Sequence, residues 1–278
     1  MEDLASVINS NVVAALAEDV GAGDLTARLI DADRIATASV ISRSETIVCG
    51  APWFDACVRK LDPQSEIHWL AHEGGSVAAG RKLCTVRGAA RALLTAERTA
   101  LNFLQLLSAV ATATRHHVDA VAGTRARIVD TRKTLPGLRI AEKYAVRTGG
   151  GINHRSGLYD GILIKENHIA AAGGIAAVLR EAARIAPPGV WIEIEIENLD
   201  QLREALTAGA KMILLDNMSL DQMREAVRIT AGSAELEASG GITLANVRAI
   251  ADTGVDRISI GSLTKDIKAI DLSMRFEN

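Results

Sequence analysis

From residue 126 to the C-terminus, short β-branched runs alternate with helical stretches, and this alternation constrains the fold more than any other feature. The strand candidates are 126–131 (ARIVDT), 161–165 (GILIK), 191–197 (WIEIEIE), 212–217 (MILLDN), 234–239 (AELEAS) and 257–262 (RISIGS). Apolar residues at three-and-four spacing predict helices over 199–208, 220–230 and 244–253. Gly189, Gly209, Gly232 and Gly254 stand where helices hand back to strands, and glycine suits the left-handed conformation that ends a helix. Repeated strand–helix units imply parallel strands joined by crossover helices. Five or more of them leave two architectures, a closed barrel or an open doubly wound sheet.

The placement of polar residues favours the barrel. Asp130, Thr131, Arg132 and Lys133 follow the first strand and Lys165 ends the second. Glu195 and Glu197 end the third, and Asp216 and Asn217 the fourth. Ser239, Gly240 and Gly241 follow the fifth, Gly261 and Ser262 the sixth. In a parallel barrel these ends share one rim, the rim where active sites are built. The run WIEIEIE puts three isoleucines on one face and Glu193, Glu195 and Glu197 on the other, whereas parallel strands are usually apolar on both. The expectation is isoleucines toward the helices and glutamates toward the barrel interior. Interior carboxylates must be paired or coordinate a metal, because an isolated buried charge is very costly.

Glycine turns after the last two strands suit backbone N–H groups around a phosphate. Basic residues are dense from 132 to 168: Arg132, Lys133, Arg139, Lys143, Arg147, His154, Arg155, Lys165 and His168. Arg139, Lys143 and Arg147 read as a solvated helix face. Arg132–Lys133 after a strand, and His154–Arg155 after the Gly149–Gly151 triplet, read as cations presented to a ligand. The rim therefore suits a phosphorylated, strongly anionic small molecule.

The earlier part of the chain is less regular. Helices are expected over 1–17, 52–61 and 89–121, with strands near 37–48, 67–70 and 83–86, which makes a separate α+β domain. A formal net charge of −3 and 3% aromatic residues argue against a nucleic-acid surface. Cys49, Cys57 and Cys84 are odd in number and match no metal spacing, so reduced thiols are expected. The chain begins with neither a signal-peptide pattern nor a membrane-length apolar run, so a soluble cytoplasmic protein with no membrane partner is expected.

The segment 131–168, TRKTLPGLRIAEKYAVRTGGGINHRSGLYDGILIKENH, resembles the quinolinate phosphoribosyltransferase family, also called nicotinate-nucleotide pyrophosphorylase (carboxylating). The resemblance extends through 96–114 (AERTALNFLQLLSAVATAT), EIEIEN, ILLDN, ASGGI, IGSLT and 18–26 (EDVGAGDLT), most of the chain. One departure is Thr148, where many relatives carry cysteine; a small residue is retained, so no effect is expected. The resemblance implies an α/β protein: an N-terminal α+β sandwich domain and an incomplete, seven-stranded α/β barrel in place of a closed eight-stranded one. The boundaries expected are 1–112 for the first domain, with the tail 268–278 returning to it, and 113–267 for the barrel.

The reaction implied joins quinolinate to phosphoribosyl pyrophosphate, giving nicotinate mononucleotide, pyrophosphate and CO2, with Mg²⁺ as cofactor. By resemblance, Arg98, Arg132, His154, Arg155 and Lys165 line the quinolinate pocket, and Lys133 neutralises pyrophosphate. Glu195 and Asp216 hold the ribose hydroxyls or the Mg²⁺ shell, the ion itself being held mainly by phosphoribosyl pyrophosphate. Ser239, Gly240, Gly241, Ile260, Gly261 and Ser262 bind the 5-phosphate. Lys133, Lys165, Glu195 and Asp216 are the catalytic candidates; the roles of Glu193 and Glu197 stay open. A homodimer or higher homo-oligomer is implied, with Arg98 entering the partner's site. Three other readings remain on the residues alone: a Schiff-base aldolase using Lys165, a phosphoribosyltransferase for another acidic base, and a phosphosugar-binding protein without turnover.

Overall fold

The structure is a computed structural model that describes residues 3–277. It divides into two compact units: 1–115, 135–150 and 266–278 in the first, and 116–134 and 151–265 in the second.

In the first unit, α1 (Leu4–Val20), β1 (Ile35–Ser42), β2 (Thr46–Ile47), α2 (Ala51–Leu61), β3 (Glu66–Trp69), β4 (Ser76–Val77), β5 (Lys82–Ala89) and α3 (Ala90–Ala120) are followed by α4 (Arg139–Thr148) and, at the end of the chain, β12 (Leu272–Phe276). Antiparallel pairing sets the order β12-β1-β5-β3. The strand expected over 37–48 breaks at the charged stretch Arg43–Glu45, and its last part, β2, pairs with β4. Trp53 and Phe54 of α2 and Leu93, Leu101, Leu104 and Leu107 of α3 are fully buried in one apolar cluster. Burying a side chain of this size contributes roughly 1.5–3 kcal/mol. The three cysteines are free and buried, and burial raises each thiol pKa.

The helix-face reading of 139–147 needs correction. Lys143 is 2% exposed and its neighbour Glu142 is 0% exposed. α4 therefore carries charged residues on its packed side, and only Arg147 of the three bases is exposed.

The second unit holds β6 (Arg127–Val129), β7 (Ile162–Ile164), α5 (Glu166–Ala172), α6 (Ile175–Ile185), β8 (Ile192–Ile196), α7 (Leu199–Thr207), β9 (Met212–Asp216), α8 (Leu220–Thr230), β10 (Glu235–Ser239), α9 (Val247–Ala251), β11 (Arg257–Ser259) and α10 (Ser262–Lys265). Among the described residues its sheet has six parallel strands in the order β6-β11-β10-β9-β8-β7. Ile152 bridges Val129 in parallel and adds a one-residue seventh strand beside β6. The sheet has β7 at one edge and does not close, in keeping with the incomplete, seven-stranded barrel that the resemblance implies.

Side-chain alternation explains the layers. Ile194, Ile196, Ile213, Leu215, Leu236, Ala238 and Ile258 are buried on one face of the sheet. The helices bring apolar stripes to the same core, such as Leu202 and Ala205 of α7 and Met223 and Ala226 of α8. Their starts are written locally: Asn198 accepts the backbone N–H groups of Asp200 and Gln201, and Ser219 exchanges bonds with Gln222 in a capping box. Gly209, Gly232 and Gly254 take positive φ values of 87°, 79° and 93° after their helices, as their spacing predicts. Among the described residues, no helix is long and apolar enough to cross a membrane.

Candidate active site

A cavity of about 340 Å³ opens at the C-terminal ends of the second unit's strands. Thr131, Arg132 and Lys133 reach it from the end of β6, and His154 and Arg155 from the segment after the Ile152 bridge. Leu163 and Lys165 come from β7, Glu195 from β8, Leu214 from β9, Glu237 and Ser239 from β10, and Ser259 from β11. All seven strands contribute to one concavity, so the sheet must curl.

The parallel register places the inward residues side by side. Leu163 lies across from Glu193, Glu195 and Glu237 flank Leu214, and Glu237 lies across from Arg257. Each inward carboxylate finds a partner. Lys165 Nζ donates to Glu195 Oε2 at 2.6 Å, His154 Nε2 lies 2.8 Å from Glu193 Oε2, and Arg257 Nε donates to Glu237 Oε2 at 2.7 Å. Glu197, by contrast, is exposed, and its backbone N–H donates to Gln201.

The cations are positioned by the backbone that carries them. Asp130 is fully buried; its Oδ1 accepts the His154 backbone N–H at 2.8 Å and its Oδ2 accepts Asn153 Nδ2 at 2.5 Å. This clasp ties the end of β6 to the His154–Arg155 turn. The Arg155 side chain donates to the Gly161 carbonyl at 3.2 Å. Burial, together with the like charge of Arg132, lowers the Arg155 pKa. Two guanidiniums close enough to repel form a site that an anion would relieve. Lys133 is exposed, and its side chain passes Gly261, where an added Cβ would come within 3.1 Å of Lys133 Cδ. Thr264 Oγ1 donates to the Lys133 carbonyl at 2.8 Å.

His154 is the least accessible of the basic residues in this lining. It lines the cavity, but it is only 8% exposed. Its Nδ1 accepts the Arg155 backbone N–H at 2.9 Å, so the ring proton sits on Nε2, toward Glu193. His168 caps α5 through a bond from the Lys165 backbone N–H to its Nδ1, 3.0 Å long.

The remaining candidates of the second unit sit at the same strand ends but outside the lining of this cavity. Asp216 ends β9 directly opposite Ser239. Its Oδ2 accepts Asn217 Nδ2 at 2.9 Å. Gly240 has a φ of 101°, and a Cβ there would overlap the Asn217 side-chain oxygen, so the turn requires glycine. Gly241 has a φ of 60° with open space around it. Ile260 is buried at 1% exposure and offers a ligand only its backbone. Gly261 and Ser262 begin the segment beside Lys133. Arg98 is exposed on α3 of the first unit.

Sequence reasoning passed over Asp130 as a structural clasp and over Glu237 and Arg257 altogether. The run ELEAS repeats the acid–apolar alternation of IEIEI, and that repetition was the available signal for Glu237.

The family models for quinolinate phosphoribosyl transferase match in both parts, the N-terminal domain over residues 24–108 and the C-terminal domain over 110–275. A probable nicotinate-nucleotide pyrophosphorylase (carboxylating) of Bacillus subtilis is 46% identical over 257 residues, 92% of this chain and 89% of its own. The nicotinate-nucleotide pyrophosphorylase (carboxylating) of Mycobacterium leprae is 42% identical over 270 residues, covering 94% of each chain. Among solved structures, the nicotinate-nucleotide pyrophosphorylase of Francisella tularensis superposes with a TM-score of 0.96 at 44% identity, covering 99% of this chain and 98% of that one.

Proposed function

We infer the roles of the rim residues from one premise: the chain belongs to the quinolinate phosphoribosyltransferase family. It is a pentosyltransferase of NAD biosynthesis. It moves the phosphoribosyl group of phosphoribosyl pyrophosphate onto quinolinate with decarboxylation, giving nicotinate mononucleotide, pyrophosphate and CO2. The observation that carries the assignment of roles is the single cavity lined by Arg132, Lys133, Arg155, Lys165 and Glu195.

Arg132 and Arg155 grip the quinolinate carboxylates, since a guanidinium can hold a carboxylate in bidentate fashion. Lys165 adds a third cation, and its Nζ is already engaged by Glu195 Oε2 at 2.6 Å. That pairing weighs against a Schiff-base lysine, which must lose its proton to attack a carbonyl. Lys133, at the mouth of the same cavity, faces the pyrophosphate. Glu195 and Asp216 steady the ribose hydroxyls and favour positive charge on the sugar as pyrophosphate departs. The backbone of Ser239, Gly240, Gly241, Ile260, Gly261 and Ser262 receives the 5-phosphate; the open space around Gly241 supports this placement.

Mg²⁺ fits the donor set as an ion held mainly by the substrate's phosphates. Glu195 is engaged by Lys165, whereas Asp216 keeps Oδ1 available after its single bond from Asn217. Mg²⁺ favours hard oxygen ligands and retains several waters, so Asp216 would hold it through that water shell. When bound, the ion neutralises the leaving pyrophosphate. The proposal extends to a cytoplasmic homodimer in which Arg98 completes the partner's site; the three free, buried cysteines support a reducing compartment.

Assaying CO2 and nicotinate mononucleotide with quinolinate or nicotinate as the acceptor tests the assignment. Turnover with quinolinate alone is expected, and turnover with nicotinate alone would overturn it.

A further inference from the structure

We propose that Glu237, at the floor of the cavity, donates the proton that replaces the departing carboxylate, and that His154 and Glu193 hold this acid in place. The inference rests on the decarboxylating reaction given above and assigns a source to a proton that reaction consumes.

Four buried side chains make the device. Glu193 and Glu237 are each 1% exposed, His154 8% and Arg257 9%. His154 Nε2 faces Glu193 Oε2 at 2.8 Å and Glu237 Oε1 at 3.8 Å. The Arg155 backbone N–H already occupies Nδ1, so the neutral ring has one N–H to offer two carboxylates. Arg257 is the only permanent cation bonded to either acid among the described residues, and it takes Glu237 Oε2. Oε1 of Glu193 and Oε1 of Glu237 are buried with no hydrogen-bond partner. Two ionised carboxylates against one guanidinium would leave an uncompensated buried charge, which one shared proton removes.

The surrounding charges bear on where that proton resides. Glu195 of β8 and Glu235 of β10 disfavour ionisation of Glu193, while Arg257 and Arg155 favour it. Glu195 is itself held by Lys165, and Glu235 by Arg127. Glu237 meets Glu193, His154, Arg257 and the Ser259 hydroxyl. Burial outweighs the guanidiniums and raises both carboxyl pKa values, Glu193 to about 7. These three ligand-type side chains could suggest a metal centre, but Arg257 already sits on one carboxylate. A proton fits the charge balance; a divalent ion would oppose the guanidinium.

Glu237 belongs to the cavity lining and Glu193 does not, so of the two acids Glu237 is the one assigned as the donor. In the step proposed, the bond between ring carbon 2 and its carboxylate breaks and CO2 leaves. The electron pair stays on carbon 2, beside the quaternised nitrogen. The Glu237 O–H bond then breaks as the new C–H bond forms. Glu237 is left as a carboxylate against Arg257 and regains its proton from solvent before the next turnover.

The test forms product in equimolar H2O and D2O and reads the H/D ratio at carbon 2, which reports the donor whichever step limits the rate. Glu237→Gln should lower kcat by about 10²-fold, the usual scale for a lost general acid, with KM within a few-fold and an altered H/D ratio. Glu237→Asp, which keeps the acid but shortens it, should recover part of kcat and the parental ratio. The parental H/D ratio in Glu237→Gln would overturn the proposal, even with kcat lowered, because a merely structural role leaves the donor unchanged. Should Glu237→Gln fail to fold, the unaltered enzyme still decides: a ratio equal to that of uncatalysed protonation by water would overturn it. Failure of the parent to release CO2 from quinolinate would instead contradict the reaction itself.

Discussion

Lys133, proposed above to face the pyrophosphate, is placed so that it contributes little to the fold. It is exposed, and it is held through its backbone carbonyl rather than its ammonium. Lys133→Ala should therefore lower kcat by about 10²-fold, the scale of one lost electrostatic contact to developing charge, while thermal stability stays unchanged. Turnover and melting temperature, measured on the same preparation, check both halves. Buried carboxyls behave in the opposite way. Burial raises Glu193 and Glu142 from 4.5 to about 7. The folded protein then binds more protons than the unfolded chain between those values, so both groups favour folding below about pH 4.5 and lose that contribution as pH rises through 7. Melting temperature should fall between pH 5 and pH 8 from these groups. Glu193→Gln and Glu142→Gln should each flatten the slope; parallel slopes in parent and variants would contradict the assignment.

At the scale of elements, the strand ends carry the proposed site and the turns set their geometry. Gly240 adopts a φ of 101° beside Asn217, where a side chain would collide. Gly240→Ala should cost roughly 1–3 kcal/mol of stability and raise KM for phosphoribosyl pyrophosphate more than KM for quinolinate. Separate KM values and a denaturation curve test this. Much of this layer was legible in advance. Parallel strands, helix-ending glycines and polar strand ends follow from local alternation, which a linear reading detects. The Glu193–His154 and Glu237–Arg257 pairs were not, because they depend on which strands become neighbours. β10 and β11 are consecutive, yet only their register sets Glu237 beside Arg257. Ile152 escaped notice for a related reason: one bridged residue has no periodicity. Lys143 was misread because the tertiary packing around α4 overrides the usual exposure of a helical lysine.

For the whole molecule, the proposed sharing of Arg98 means that one chain does not make a complete site. The cavity gathers cations from the strand ends of the second unit alone, while Arg98 stands exposed on α3 of the first. If Arg98 serves the partner's cavity, an Arg98→Ala chain and a Lys165→Ala chain can rescue each other. In a mixed dimer, one site pairs the intact Lys165 of the first chain with the intact Arg98 of the second, and the other site holds both lesions. Random exchange makes half of the dimers mixed, each with one good site of two, so about one quarter of parental activity should return. If each chain uses its own Arg98, every site keeps a lesion and mixing restores nothing. Activity measured after subunit exchange, with mixed dimers verified by mass, separates the two arrangements. Purified mixed dimers sharpen the contrast to about half of parental activity against none.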